Sequence, residues 1–267
     1  MLYYTPILNF PFISGGFMSI DINLKILNNV SDLIIIAGSH FEKINNRTKK
    51  YYKNLYGKKI IFINPKSNNE TAEVINYFSK KYKIKNLWLD RIVESTYKIL
   101  FLIKKKNPAL FVVSHTDAVA SEYIWRKAIV SKNILEKLKL FILSFSRKLK
   151  EKKILKLSNI ITAVSNRDKK IFDSFYECKK KIFLFPNCLD TQKYKKKKLY
   201  KQNYIYMSGS FGAYGPNYHG ATWFLEKVYP IVRNKISNIK ILFAGKDANK
   251  NIRQNRNIKT IGEKEDL

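Results

Sequence analysis

Residues 204–245 read YIYMSGSFGAYGPNYHGATWFLEKVYPIVRNKISNIKILFAG, and the class of fold follows from this segment. The pattern predicts a strand at 204–207, a loop at 208–217, a helix, and a second strand at 239–243. Apolar residues recur through the helix at helical spacing, at Ala221, Phe224, Leu225, Val228, Val232 and Ile236. The segment therefore predicts a βαβ unit whose glycine-rich loop joins the first strand to the helix.

Three glycines in that loop, Gly209, Gly212 and Gly215, favour a phosphate site. Glycine lets the backbone come close to a ligand, and the start of the following helix offers free N–H donors. The spacing differs from Gly-x-Gly-x-x-Gly, and no Gly-Lys-Ser/Thr follows as it would in a P-loop. A flexible loop without a ligand is the alternative, and the βαβ setting favours the phosphate site.

The rest of the chain alternates in the same way. We expect strands at 2–4, 33–37, 59–63, 110–114, 160–164 and 182–185, and helices at 19–28, 88–103 and 134–157. Such alternation predicts parallel sheets with helices on both faces, and ligands of these sheets collect at the carboxyl ends of the strands. Ser165 and Asp168 fit a capping box at the start of one further helix.

The chain divides at a lysine-rich stretch without an apolar period, residues 193–203. We expect an N-terminal domain at 1–192, a basic linker at 193–203 and a C-terminal domain at 204–267. A Rossmann-like domain needs roughly 150 residues, whereas 64 remain from Tyr204 to Leu267. The second domain is therefore expected to be incomplete.

The composition indicates a globular, strongly basic protein. Hydrophobic residues make up 45%, which excludes global disorder. Lys and Arg number 51 against 20 Asp and Glu, a formal charge of +31. This excess favours a nucleic acid, an acidic membrane surface or a phosphorylated substrate as partner. The compositional bias of an AT-rich genome is an equal alternative, because Lys, Asn, Ile, Tyr and Phe are abundant together.

Several classes of site and segment lack support. Cys178 and Cys188 make neither a disulfide framework nor a metal site, and they suit a reducing cytosol. Gly-x-Ser-x-Gly and His-Glu-x-x-His motifs are absent, so hydrolase and metalloprotease chemistry is not indicated. No apolar run is long enough to cross a bilayer, and the N-terminus does not resemble a signal peptide.

Two further features carry open interpretations. Gly15-Gly16 precedes a predicted helix and suits either a phosphate contact or a tight turn. His115 follows a buried strand, with Asp117 two residues on. Its ring can exchange a proton near neutral pH, but a structural, hydrogen-bonded histidine is the commoner case.

Residues 133–157 predict a basic helix with one apolar stripe, formed by Leu135, Leu138, Ile142, Phe145 and Leu149. Such a helix can lie on an anionic bilayer. A core helix with a solvated lysine face is the commoner alternative.

Motifs along nearly the whole chain resemble the GT-B glycosyltransferases of glycosyltransferase family 4, in the sugar-transferase branch. The order and spacing of the motifs carry the resemblance, since each alone is common. They are PFISGG at 11–16, SHTD at 114–117, KEK at 150–152, ITAVSNRD at 161–168, FPNCLD at 185–190, the 208–217 loop with WFL at 223–225, and IGEKEDL at 261–267.

The resemblance implies two Rossmann-like domains with parallel sheets facing a cleft. The second would bind a nucleotide-sugar donor and the first the acceptor, with retention of configuration, no metal and no further cofactor. Position by position, His115 would face the sugar and the acceptor, and donor phosphates would lie by Gly15, Gly16, Gly209 and Ser210. Support would come from Glu151, Asn187, Asn217 and Lys246.

Three departures from the family pattern count against full activity. Cys188 replaces a glycine, basic residues are missing from 208–220, and the late Glu-x(7)-Glu segment would come after Leu267. We therefore expect a fragment, a truncated gene product or half of a split enzyme, with no donor turnover by residues 1–267 alone.

The expected function is transfer of a sugar to a glycan or lipid-linked acceptor in cell-surface polysaccharide synthesis. The expected location is the cytoplasm, with association at the inner face of an anionic membrane. Two alternatives remain. One is a non-catalytic remnant that binds acceptor or membrane. The other is a nucleic-acid-binding protein, which the scattered lysines and missing motifs disfavour.

Overall fold

Both sheets of the chain are parallel, and each belongs to its own unit. The computed structural model describes residues 1–12, 15–41, 43–91, 94–131, 133–176, 182–191, 203–213 and 215–263. The first unit is Met1–Asp190 and the second is Thr191–Leu267. Cys178, Ser14, the last residues of the IGEKEDL motif and the predicted linker, except Asn203, lie outside the described residues.

The first unit contains a seven-stranded parallel sheet in the order β3-β2-β1-β4-β5-β6-β7. The strand order reverses between β1 and β4, which is where doubly wound sheets open a crevice at their carboxyl edge. The strands are β1 Leu2–Thr5, β2 Ile34–Ala37, β3 Ile60–Phe62, β4 Asn86–Leu89, β5 Phe111–His115, β6 Ile160–Ala163 and β7 Ile182–Leu184.

In the described part of this unit, seven α-helices cover the sheet, so that both faces are buried. Leu2 and Tyr4 of β1 belong to one core, and Tyr3 belongs to the other. Burial on both faces explains why the strands read as continuous apolar runs. The helices are α1 Gly15–Val30, α2 Asn46–Tyr56, α3 Asn68–Lys81, α4 Glu94–Lys106, α5 Ala120–Val130, α6 Ile134–Leu157 and α7 Asn166–Tyr176.

The prediction of one long helix at 88–103 is wrong in its first third. Trp88 and Leu89 belong to β4, which pairs with β1 and β5, and α4 begins only at Glu94. Leu87–Leu89 is a short apolar run, and periodicity cannot distinguish such a run from part of a buried helix. Because β4 ends at Leu89, Asp90 and Arg91 directly follow a strand.

The second unit confirms the βαβ prediction at 204–245. β8 Tyr204–Ser208 pairs in parallel with β9 Lys240–Ala244, and β9 pairs with β10 Ile258–Ile261. The connecting helix comprises α8 Pro216–Trp223, a π-helical turn at 224–228 and α9 Tyr229–Lys235. A short helix, α10 Ala248–Asn251, precedes β10.

The side chains buried along the connecting helix differ in part from the predicted stripe. Tyr229 is buried, whereas Ile236, a member of the predicted stripe, is 40% exposed. Pro230 has no N–H to donate along the helix, and π turns accommodate such interruptions. Val232 of the predicted stripe still packs against the core after this turn, and Ile236 lies one residue beyond the end of α9.

Helix α6 has the predicted bounds but not the burial of a core helix. The face that packs inward carries Ser144, Glu151, Ile154 and Leu155. The predicted stripe, Leu135, Leu138, Ile142, Phe145 and Leu149, is exposed. The interpretation of this stripe as part of a core is therefore wrong.

Candidate functional site

A row of polar side chains crosses the carboxyl edge of the first sheet, on the face covered by α1. Tyr4 pairs with Leu89, Leu89 with Ser114, and His115 with Thr162. Continuing this register by one residue aligns Thr5, Asp90, His115 and Thr162 across β1, β4, β5 and β6. All four are buried. The row begins at β1 and β4, where the strand order reverses.

His115 is held at both ring nitrogens. Its Nδ1 lies 2.7 Å from Thr162 Oγ1, and its Nε2 lies 3.3 Å from Asn23 Nδ2. Since an amide nitrogen can only donate, Nε2 accepts and Nδ1 carries the proton. Burial lowers the pKa of His115 to about 4, so the ring is neutral at pH 7.

Helix α1 connects four of the predicted site residues within the first unit. Gly15 and Gly16 form its first turn, and a Cβ added to Gly15 would meet nothing within 4 Å, so this turn is open to a ligand. One turn further on, Ser19 Oγ donates to Asn187 Oδ1 at 2.7 Å, and Asn23 contacts His115. Gly15 and Asn23 are about 12 Å apart along the axis.

The sequence patterns do not single out Asp90 and Arg91, because the end of β4 and the residues after it fit the helix predicted at 88–103. Arg91 has a positive φ of 55°, which is uncommon for a residue with a side chain. Its Nη2 lies 3.5 Å from Asp117 Oδ2, and its guanidinium carbon lies 5.5 Å from the centre of the Phe17 ring. Arg91 thus connects the ends of β4 and β5 to helix α1.

Asp90 is completely buried beside Thr5, whose Oγ1 donates to Asp90 Oδ2 at 3.3 Å. Burial raises the pKa of Asp90 to about 7, and the charge of Asp117 adds to the rise. The Tyr3 hydroxyl, Arg91 and the Thr5 hydroxyl oppose the rise. The carboxyl group can therefore hold or release a proton near neutral pH.

Glu151, one of the predicted supporting residues, caps the N-terminus of helix α5. Its Oε1 accepts from the Ser121 backbone N–H at 3.1 Å, and its Oε2 accepts from Ser121 Oγ at 2.5 Å. Burial raises the pKa of this carboxyl. These contacts satisfy amide donors at a helix N-terminus, which gives Glu151 a structural role.

In the second unit, two glycine loops are in tight contact at the carboxyl edge of the sheet. A Cβ added to Gly245, at φ +130°, would lie 2.1 Å from the Gly209 carbonyl oxygen. A Cβ added to Gly209, at φ +155°, would lie 2.5 Å from Asn217 Nδ2. The Phe211 N–H also donates to the Lys246 carbonyl at 2.8 Å. The glycines are thus required by packing, whether or not a ligand is bound.

The surface of these loops presents one predicted donor-binding residue, Ser210, and two predicted supporting residues, Asn217 and Lys246. Ser210, Asn217 and Lys246 are all exposed. Helix α8 begins after Gly215, and its N-terminus has no side-chain cap. Its first backbone donors are therefore open to an anion.

Cys188 stands where the family that the sequence resembles has the glycine of a Pro-Asn-Gly turn. It is exposed, and its Sγ donates to the Pro186 carbonyl at 3.4 Å. In the part of the chain that the structure describes, no group of three His, Cys, Asp or Glu side chains is arranged to hold a metal ion. No helix there is long and apolar enough to span a bilayer.

Comparison with known proteins agrees with this architecture. No family model matches the chain. A curated relative, an uncharacterised glycosyltransferase of Methanocaldococcus jannaschii, is 27% identical over 229 residues. The match covers 76% of this chain and 55% of that protein, so the chain spans about half the length of its relative.

Solved structures share the fold at low sequence identity. The Anabaena protein HepE in complex with UDP has a TM-score of 0.58 at 7% identity, over 98% of this chain and 69% of that chain. A glycosyltransferase from Rickettsia africae gives 0.56 at 15%, over 98% and 68%.

A third structure, of a putative UDP-N-acetylglucosamine 2-epimerase from Listeria monocytogenes, gives a TM-score of 0.53 at 9% identity, over 98% of this chain and 69% of that chain. At these identities the comparisons establish the fold and not the reaction. The chain consists of parallel α/β units of the kind found in GT-B glycosyltransferases.

Proposed function

We propose that this chain contains the acceptor-side unit and part of the donor-side unit of a glycosyltransferase that uses a nucleotide-sugar. The observation that carries the proposal is the pair of glycine loops beside the open N-terminus of α8. HepE, which shares the fold, was solved with UDP bound, and the curated relative is named a glycosyltransferase.

In the second unit, the donor diphosphate would lie against the backbone at Gly209 and Ser210. The N–H groups at the start of α8 supply hydrogen-bond donors, and Lys246 and Asn217 would add polar contacts from the exposed surface. Such groups stabilise a leaving diphosphate electrostatically, without a covalent nucleophile.

In the first unit, the acceptor would lie at the carboxyl edge near α1. Gly15 and Gly16 provide an open first turn there. His115 remains the catalytic candidate by family position. Its burial, its neutral ring and its two hydrogen bonds support a role in positioning Asn23 and Thr162 rather than in donating a proton.

The stereochemistry, the acceptor and the location are proposed from the resemblance to family 4, which depends on the order of the sequence motifs. We propose transfer with retention of configuration to a glycan or lipid-linked acceptor, in the cytoplasm, in the synthesis of a cell-surface polysaccharide. The nucleotide-sugar would act as substrate, with neither a metal nor an additional cofactor.

Donor binding tests the proposal without requiring turnover. Saturation-transfer NMR on residues 1–267 would be run with UDP-glucose, UDP-N-acetylglucosamine and GDP-mannose. Lys246→Glu, at the carboxyl end of β9, would be compared with Lys240→Glu, at the start of the same strand. Both lysines are exposed, so the pair separates a local contact from a change in net charge.

We expect at least one nucleotide-sugar to bind and Lys246→Glu to weaken it by about fivefold, since reversing a charge near a diphosphate costs roughly 1 kcal/mol after screening. Lys240→Glu should bind like the unaltered chain. Folded protein that binds none of the three, or equal losses in both variants, would overturn the proposal.

A further inference from the structure

Helix α6 exposes an unusual number of large apolar side chains. Seven of them are between 47% and 81% exposed, and all but Leu143 lie on one side of the helix: Ile134, Leu135, Leu138, Ile142, Phe145 and Leu149. They occupy one helix of a unit that otherwise has two well-packed cores. Contiguous exposed apolar surface of this kind marks an interaction site.

The six side chains form a single stripe along the helix. At 100° per residue they fall within an arc of about 100°, on the side turned away from Ser144 and Glu151. Both of those residues are buried against the first unit. The stripe therefore faces outward along about four turns of the helix.

Lysines border the stripe on both sides. By the same helical geometry, Lys137 and Lys148 follow one edge, and Lys139 and Lys150 follow the other. The helix carries eight Lys and Arg residues against two Glu. One of the two, Glu151, is buried at the start of α5, so it contributes little to the outer surface.

Helix α5 extends the same surface. Trp125 is half exposed, and its ring centre lies 4.6 Å from that of Phe141 on α6. A cavity of about 280 Å³ opens between the two helices, where Trp125, Phe145 and Lys148 form part of its wall. Tryptophan favours the boundary between headgroups and acyl chains, because its ring is both apolar and polar.

An apolar stripe between rows of lysine suits one partner better than others. A second copy would bring two strongly basic surfaces together, each from a chain with a formal charge of +31. A nucleic acid would leave the apolar stripe without a partner. Acidic lipid offers negative headgroups to the lysines and acyl chains to the stripe.

We propose that the outer face of α6, together with Trp125 of α5, binds the surface of a bilayer that contains acidic lipid. The stripe would enter the boundary between headgroups and acyl chains, with the helix parallel to the membrane. This inference does not rest on glycosyl transfer, because lipid binding needs neither donor nor acceptor.

Vesicle flotation tests the proposal, using vesicles of phosphatidylcholine alone or with phosphatidylglycerol. Leu138→Ser/Ile142→Ser should reduce recovery with the acidic vesicles at least about tenfold, because two anchoring side chains are lost. The control, Val30→Ser/Ile231→Ser, removes two aliphatic residues of similar exposure elsewhere and should float like the unaltered protein.

The lysines are tested separately. Lys137→Gln/Lys139→Gln should also reduce recovery with the acidic vesicles about tenfold, since each lysine near an acidic surface contributes to binding.

A second measurement needs no variant of the stripe. Brominated acidic lipid should quench the fluorescence of Trp125 in a chain that carries Trp223→Phe, because Trp88 is buried. Equal flotation with neutral and acidic vesicles, or no quenching, would overturn the proposal. So would self-association that Leu138→Ser/Ile142→Ser abolishes while flotation is unchanged.

Discussion

Replacing Asp90 by asparagine should remove a specific part of the pH dependence of stability. Asp90 is fully buried at the carboxyl end of β4, and its pKa is raised from 3.8 to about 7. Asparagine has nearly the same shape and does not titrate. Comparison of the two chains therefore isolates this one carboxyl group from all other titrating groups.

The sign follows from the raised pKa. The folded chain holds a proton on Asp90 that the unfolded chain releases, so the free energy of unfolding falls as pH rises between about 4 and 7. A shift of about three units corresponds to roughly 4 kcal/mol. Asp90→Asn should match the unaltered chain near pH 4, gain about 1.4 kcal/mol per pH unit relative to it, and level off above pH 7.

The measurement is urea unfolding at a series of pH values, with tryptophan fluorescence as the signal that monitors unfolding. Trp223→Phe in both chains would leave Trp88 and Trp125 as reporters of the first unit. A stability difference that stays constant with pH, or that shrinks as pH rises, would refute the assignment of Asp90 as a buried, protonated carboxyl group.

Two further predictions concern His115 and the glycine loops. NMR titration should give His115 a pKa below 5, with the proton on Nδ1 at pH 7. Because the pKa in the folded chain lies below 6.5, protonation of His115 should lower the free energy of unfolding as pH falls from about 6.5 to 4. A measured pKa near 6.5 would contradict the buried geometry. Gly245→Ala should cost about 3 kcal/mol through the clash with the Gly209 carbonyl and its positive φ. The control is Gly220→Ala in α8, where an added Cβ meets open space, and it should be neutral or stabilising by up to about 1 kcal/mol. Similar thermal melting temperatures for the two variants would show that the loops do not require glycine.

The sequence predicts the parallel α/β architecture well, because buried parallel strands read as apolar runs. The predicted cap at Ser165 is also confirmed, since its Oγ accepts from the Asp168 N–H at 3.0 Å. Asp168 Oδ2 accepts from the Ser165 hydroxyl at 2.8 Å, whereas a capping box would direct it to the Ser165 backbone N–H. The sequence patterns do not predict helices α2, α3 and α5. The inner face of α2 presents Thr48, Tyr52 and Tyr56 within a lysine-rich segment, so its apolar period is weak.

The candidate site is less predictable from sequence than the fold. His115, Asn187 and the Gly15-Gly16 pair were identified by motif, but the contacts that join them through Ser19 and Asn23 depend on long-range packing. Asp90 and Arg91 lay inside a segment assigned to a helix, and only the pairing of β4 with its neighbours places them at the edge. Exposure of the α6 stripe likewise depends on which face of the helix packs against the first unit.

The contacts of α1 place a constraint on how this chain can vary. Ser19 reaches Asn187, and Asn23, one turn later, reaches His115. Inserting or deleting one residue between Ser19 and Asn23 would rotate one contact away from the other by about 100°. Homologues that retain both pairings must therefore preserve this interval, while their surface loops remain free to change length.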